Sequence, residues 1–137
     1  MIKMMMHGCN GKMGRMITEI VKGDENAQIV AGVDKYTEVP NDYPVFDAIE
    51  KCDVDVDVVV DFSNAGAIDA LLEYCVEKKL PVVVCTTGLS DEQLARVNEA
   101  SKQIAILKSA NMSLGINLLL KLLKDAARVL APAGYDV

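Results

Sequence analysis

Three glycines spaced three apart, Gly8, Gly11 and Gly14, follow a short apolar run at residues 2–7. They open into a segment whose apolar residues, Met16, Ile17, Ile20 and Val21, recur at helical spacing. That order leaves the chain little besides a strand, a tight turn and a helix. A glycine turn here lets backbone approach a pyrophosphate that side chains at Gly8 and Gly11 would block. The helix start adds unpaired N–H groups and the positive end of its dipole. The spacing is G-x-x-G-x-x-G rather than the commoner G-x-G-x-x-G, and such glycines can also serve only to close a strand-to-helix turn. A second apolar run at residues 27–33 ends in Asp34. This acid stands about 20 residues past the turn, where an acid at the tip of a second strand reaches an adenosine ribose.

The rest of the chain repeats the alternation. Strands are expected at residues 45–46, 57–62, 81–85 and 104–107, with the β-branched run 57–62 buried at the centre. Between them, Asp47 should cap a brief helix at residues 48–52, and Ser63 or Asn64 a helix bearing Ile68, Leu71, Leu72, Cys75 and Val76 on one face. Ser90 and Gln93 form a capping box for a polar helix to about residue 102. A long helix then runs from Ser113 to the stop at Ala131 and Pro132. Its apolar stretch is interrupted by Asn117, Lys121, Lys124, Asp125 and Arg128 on one stripe, which predicts an amphipathic core helix rather than a membrane span.

Strand and helix in turn predict one α/β domain over residues 1–137, a Rossmann-type, doubly wound, mostly parallel sheet with helices on both faces. Ligands in such sheets sit beyond the carboxyl ends of the strands at the switch point. This gathers residues 8–13, Asp34, Phe62, residues 86–88 and residues 109–112 around one crevice.

Other classes of function are disfavoured by composition. A net charge of -6 and a pI of about 4.7 argue against nucleic acid or an anionic membrane as partner. The four cysteines form no C-x-x-C pair, so neither a metal site nor a disulfide framework is expected. With no signal peptide expected at the start, they suit the reduced thiols of a cytoplasmic protein. The only histidine, His7, ends the first strand beside the glycine turn, a structural or cofactor-adjacent place rather than that of a general acid. Lys12, Arg15 and Lys35 read equally as solvated cations or as contacts to a 2′-phosphate.

Taken in order and spacing, residues 8–14 (GCNGKMG), Asp61-Phe62-Ser63, Thr86-Thr87-Gly88 and residues 109–117 (SANMSLGIN) resemble the N-terminal domain of the 4-hydroxy-tetrahydrodipicolinate reductase (dihydrodipicolinate reductase) family. The resemblance covers essentially the whole chain. It implies the cofactor-binding half of an oxidoreductase of the diaminopimelate route to lysine, reducing a small dicarboxylate with NADH or NADPH as a homotetramer. By position it implies that Gly8, Cys9, Asn10, Gly11, Lys12 and Met13 hold the pyrophosphate and Asp34 the adenosine ribose. It also implies that Phe62, Cys85, Thr86 and Thr87 line the cofactor's middle, and that Ser109, Ala110, Asn111 and Met112 meet the nicotinamide amide. Asp34 should repel the 2′-phosphate of NADPH and Lys35, next in the chain, should offset that only in part, so a lean to NADH is expected.

Two departures stand out: Cys85 where many members have glycine, and Asn64-Ala65-Gly66 where many have a proline. The chain stops where the family's substrate domain is expected to begin. No catalytic residue is therefore expected within it, and it should bind cofactor without turnover, as a monomer or weak dimer. Two competing readings are another amino-acid-pathway dehydrogenase domain, which leaves the run at residues 109–117 unexplained, and a non-catalytic nucleotide-sensing module.

Overall fold

The computed structural model describes residues 1–109 and 113–135. Its order is β1 (Ile2–His7), α1 (Lys12–Lys22), β2 (Ala27–Val33), β3 (Val45–Phe46), β4 (Val58–Asp61), α2 (Ile68–Lys78), β5 (Val82–Val84), α3 (Asp91–Ala100), β6 (Ile106–Lys108) and α4 (Leu114–Leu130). Six strands form one sheet in the order β3-β2-β1-β4-β5-β6. All five pairings are parallel. The order reverses between β1 and β4, so the carboxyl ends of these two strands flank the crevice that doubly wound sheets use for ligands.

Alternation along β1 divides the core. Met5, with no exposed surface, faces a large cluster with Val59, Ile68, Leu71, Cys75 and Val84 beneath α2 and α3. Met6, equally buried, faces a smaller cluster with Cys9 and Tyr43, against which Ile17 of α1 packs. Methionine suits both places because its unbranched chain fills irregular gaps. Gly32 makes the smaller cluster possible, since a Cβ there would stand 2.7 Å from both Cys9 Sγ and Tyr43 Cε2.

Local signals account for the helices on the large cluster. Ahead of α2, Asn64 accepts from Gly66 N–H at 3.0 Å at the head of a 3-10 turn. Lys79, left-handed at φ 54°, ends α2, and Leu80 N–H bonds back to Cys75 O at 2.8 Å. The Ser90 and Gln93 capping box starts α3, and Gln93 Nε2 reaches Ala65 O at 2.7 Å to join the two helix starts.

Three expectations are corrected. The long helix α4 forms, yet it buries no residue, and Leu118, Leu119, Leu122 and Leu123 are each more than half exposed. Helical periodicity shows that a face is apolar without showing what covers it. Asp47 caps nothing: Ala48 holds the N-cap position of a 3-10 turn at Ile49–Lys51, and Asp47 pairs with Lys51 Nζ at 2.8 Å instead. The last strand begins at Ile106, because Ile104 ends its run in the core, bonded to Ala100 O at 3.1 Å. Among the described residues no helix is long and apolar enough to cross a membrane, and no cluster of His, Cys, Asp or Glu is suited to a metal.

Candidate functional site

The three glycines do different work. Gly8 has φ +81°, and a Cβ on it would stand 2.6 Å from Phe62 O, so only glycine fits between the turn and the end of β4. Gly14 carries α1 against the turn, where a Cβ would collide with Gly8 O and lie 2.7 Å from Cys9 Cα. At Gly11 a Cβ would meet a single atom within contact range, Gly8 O at 3.3 Å. That contact is tight without being a collision, so packing demands glycine there less than at Gly8 or Gly14, whereas an approaching ligand would exclude any side chain. Gly11 is also the N-cap of α1 without a side-chain cap, and no acid occupies the first turn. The first-turn N–H groups thus keep the dipole's positive end available to an anion.

Across from this turn, Asp34 at the tip of β2 accepts from Asn10 N–H and Tyr36 N–H, each at 3.0 Å. Asn10 Nδ2 donates to Tyr36 O at 2.7 Å and its Oδ1 accepts from Asn41 at 3.0 Å, so turn and acid are locked together. Lys35 lies with Nζ 4.8 Å from the centre of the Tyr36 ring, a cation–π contact. Between these groups lies a cleft of about 350 Å³, lined by Gly8, Asn10, Gly11, Asp34, Lys35 and Phe62 together with His7, Tyr36, Ser63 and Asn64. A hollow of about 390 Å³ on the far side of Asn10, between α1 and the loop after β2, holds Arg15, Lys22 and Asp42. Neither the glycine turn's mouth nor Asp34 opens into it, so the smaller cleft is the candidate site.

Beneath that cleft the strand register sets His7 opposite Asp61, and Asp61 opposite Val84. Asp61 has no exposed surface. Its Oδ1 accepts from Ser63 Oγ at 2.6 Å and Ser63 N–H at 3.2 Å, and Oδ2 accepts from Thr86 Oγ1 at 2.6 Å. His7 Nδ1 stands 2.9 Å from Oδ1 without an aligned hydrogen bond. Burial pushes the Asp61 carboxyl up, but His7, Ser63 and Thr86 together outweigh it and hold the group below the usual carboxylate range.

The remaining sequence candidates fall in several places. Lys12 and Met13 stand exposed on the first turn of α1. Cys9 keeps its thiol in the smaller core cluster, where burial and then the Asp34 charge push its pKa up to about 11. Cys85 is likewise buried, its thiol pushed up by burial. Thr86 is buried against Asp61, while Thr87 is exposed beyond it. Ser109 follows β6, its N–H on Val84 O at 3.0 Å. Ala110, Asn111 and Met112 lie outside the described residues. Sequence reasoning missed Tyr36, Ser63 and Asn64 as cleft residues and Asp61 as their support. An acid closing a β-branched run was the available signal for the last.

A six-stranded parallel sheet reversing between β1 and β4, with a glycine turn and an acid at neighbouring strand ends, defines a Rossmann-type α/β domain. The chain belongs to the dihydrodipicolinate reductase family: residues 2–112 match the family described as dihydrodipicolinate reductase, N-terminus. It is 49% identical over 137 residues to the 4-hydroxy-tetrahydrodipicolinate reductase of Caldanaerobacter subterraneus subsp. tengcongensis, covering all of this chain and 53% of that one. The Clostridium tetani protein of the same name is 52% identical over 130 residues, covering 95% of this chain and 51% of its own. Among solved structures, dipicolinate-bound dihydrodipicolinate reductase from Paenisporosarcina sp. TG-14 superposes with a TM-score of 0.80 at 26% identity, covering 94% of this chain and 54% of that one. The chain thus spans about half the length of the curated relatives it matches.

Proposed function

We propose that this chain holds a nicotinamide dinucleotide across the carboxyl ends of β1, β2 and β4, as the cofactor half of a 4-hydroxy-tetrahydrodipicolinate reductase. The observation that carries the reading is the uncapped start of α1 at Gly11 facing Asp34 across one cleft, in a chain of this family. The first-turn N–H groups at Lys12 and Met13 receive the pyrophosphate, and Asp34 accepts from the adenosine ribose hydroxyls. Phe62 and Thr87 line the cofactor's middle, and the segment that starts at Ser109 meets the nicotinamide amide. The bound cofactor supplies a hydride, and the chain's own part is to bind, orient and exclude water. The hydride acceptor is a cyclic dicarboxylate, a substrate class supported by the name of the Paenisporosarcina relative's ligand.

NADH is favoured over NADPH. A 2′-phosphate would approach the Asp34 carboxylate, and Lys35, turned onto the Tyr36 ring, offsets that repulsion only in part. The longer protein assembles as a homotetramer, and the 137-residue chain alone is a monomer or weak dimer. Fluorescence titration of NADH and NADPH at fixed salt tests the cofactor reading. NADH should bind at least as tightly as NADPH, and Asp34→Ala should narrow or invert that order. An NADPH affinity tenfold better, about 1.4 kcal/mol, would mean that Asp34 does not meet the ribose.

A further inference from the structure

Asp61 carries a charge that the core does not need. An apolar residue of its volume would serve stability at least as well, because a buried carboxylate must be fully compensated for its lost hydration. Of its partners, His7 and Ser63 line the cleft and Thr86 opens the turn after the adjoining strand. His7, with Nδ1 at 2.9 Å, immediately precedes Gly8. Ser63, bonded through N–H and Oγ, follows Phe62, and Thr86, at 2.6 Å, opens the Thr86-Thr87-Gly88 turn. The parallel register of β1, β4 and β5 is what brings these strand ends to a single carboxylate. Gly8 extends the linkage, because its Cα lies so close to the Phe62 carbonyl that a Cβ would be 2.6 Å from the oxygen. A shift of the Ser63 backbone away from Asp61 is therefore felt at the phosphate turn.

We infer that Asp61 is a positioning residue for the dinucleotide. Its ionised carboxylate holds the glycine turn, the Phe62-Ser63 step and the Thr86-Thr87 turn in one arrangement and sets the His7 imidazole in the wall of the cleft. The inference rests on the cofactor reading above. An asparagine of the same shape weakens the arrangement for a definite reason. Its Oδ1 can still accept from Ser63 and its Nδ2 can donate to the Thr86 hydroxyl, but the negative charge that shortens the two 2.6 Å bonds and faces His7 is gone. The three turns would then share a much weaker anchor.

The test uses Asp61→Asn with the pair Thr86→Val and Thr86→Ser, in the 137-residue chain. NADH affinity is measured by fluorescence, folding by circular dichroism, and the imidazole by ¹⁵N NMR, in which His7 is the only histidine signal. Asp61→Asn should remain folded, weaken NADH binding at least about tenfold, and shift the His7 ring nitrogens before cofactor is added. Thr86→Val should weaken binding, and Thr86→Ser, which keeps the hydroxyl, should restore it; a purely steric role for Thr86 would not separate them. Wild-type affinity in a folded Asp61→Asn chain, or equal loss in both Thr86 variants, overturns the inference and leaves the cofactor reading standing. Should Asp61→Asn fail to fold, the Thr86 pair decides. If the unaltered chain binds neither NADH nor NADPH, the cofactor reading falls and the inference falls with it.

Discussion

Single residues separate packing from ligand recognition at the glycine turn. Gly14 has no room for a methyl group, so Gly14→Ala should unfold or strongly destabilise the chain, read as a lower midpoint in urea. At Gly11 a Cβ would press on one atom only, Gly8 O at 3.3 Å, so Gly11→Val should keep the fold at some cost in stability and lose NADH, read by circular dichroism and fluorescence on one sample. A folded Gly11→Val chain with unchanged affinity would place the phosphate elsewhere. Asp61 gives a pH dependence with a definite direction. Its folded carboxyl sits below the ordinary value, so its contribution to stability is complete above about pH 5 and is lost as pH falls through the lowered folded value. Asp61→Asn should therefore flatten the acid limb of stability, checked by urea midpoints from neutral pH downwards, and parallel limbs would contradict this.

At the scale of elements, the legible parts were those whose cause is local. The Ser90 and Gln93 capping box is a signal carried within four residues and is present as read, whereas Asn64 caps the 3-10 turn ahead of α2 and α2 itself has Ala67 at its N-cap, without a side-chain cap. Asp47 failed because a short acid at a turn has a competing partner in Lys51, one helical turn on. The helix α4 failed differently, for its amphipathic pattern is genuine and only its burial was misjudged. Because it buries no side chain, deleting residues 114–137 should leave the thermal midpoint and NADH affinity nearly unchanged while abolishing binding of a hydrophobic dye. A large fall in the midpoint would show that α4 supports the sheet.

For the whole molecule, the expectation is binding without turnover. The chain's only histidine is packed against Asp61 with 6% of its surface exposed. No other residue lining the described cleft is of a type whose ordinary pKa lies near neutrality. Lost orientation of a substrate alone can be worth roughly 7 to 11 kcal/mol of barrier. Loss of nicotinamide absorbance with fresh substrate should thus be immeasurably slow for these 137 residues, and brisk turnover would place catalytic groups among residues assigned here to the cofactor. The sequence by itself determined the alternation of strand and helix, the parallel sheet, the glycine turn and the acid facing it. Each of these is written in periodicity or in a residue spacing of a few turns. Tertiary structure alone decided which glycine serves packing and which leaves room for a ligand, that Asp61 gathers His7, Ser63 and Thr86, and that α4 stands uncovered. These depend on contacts between strands distant in sequence, where register and neighbouring surfaces set the outcome and no local pattern records it.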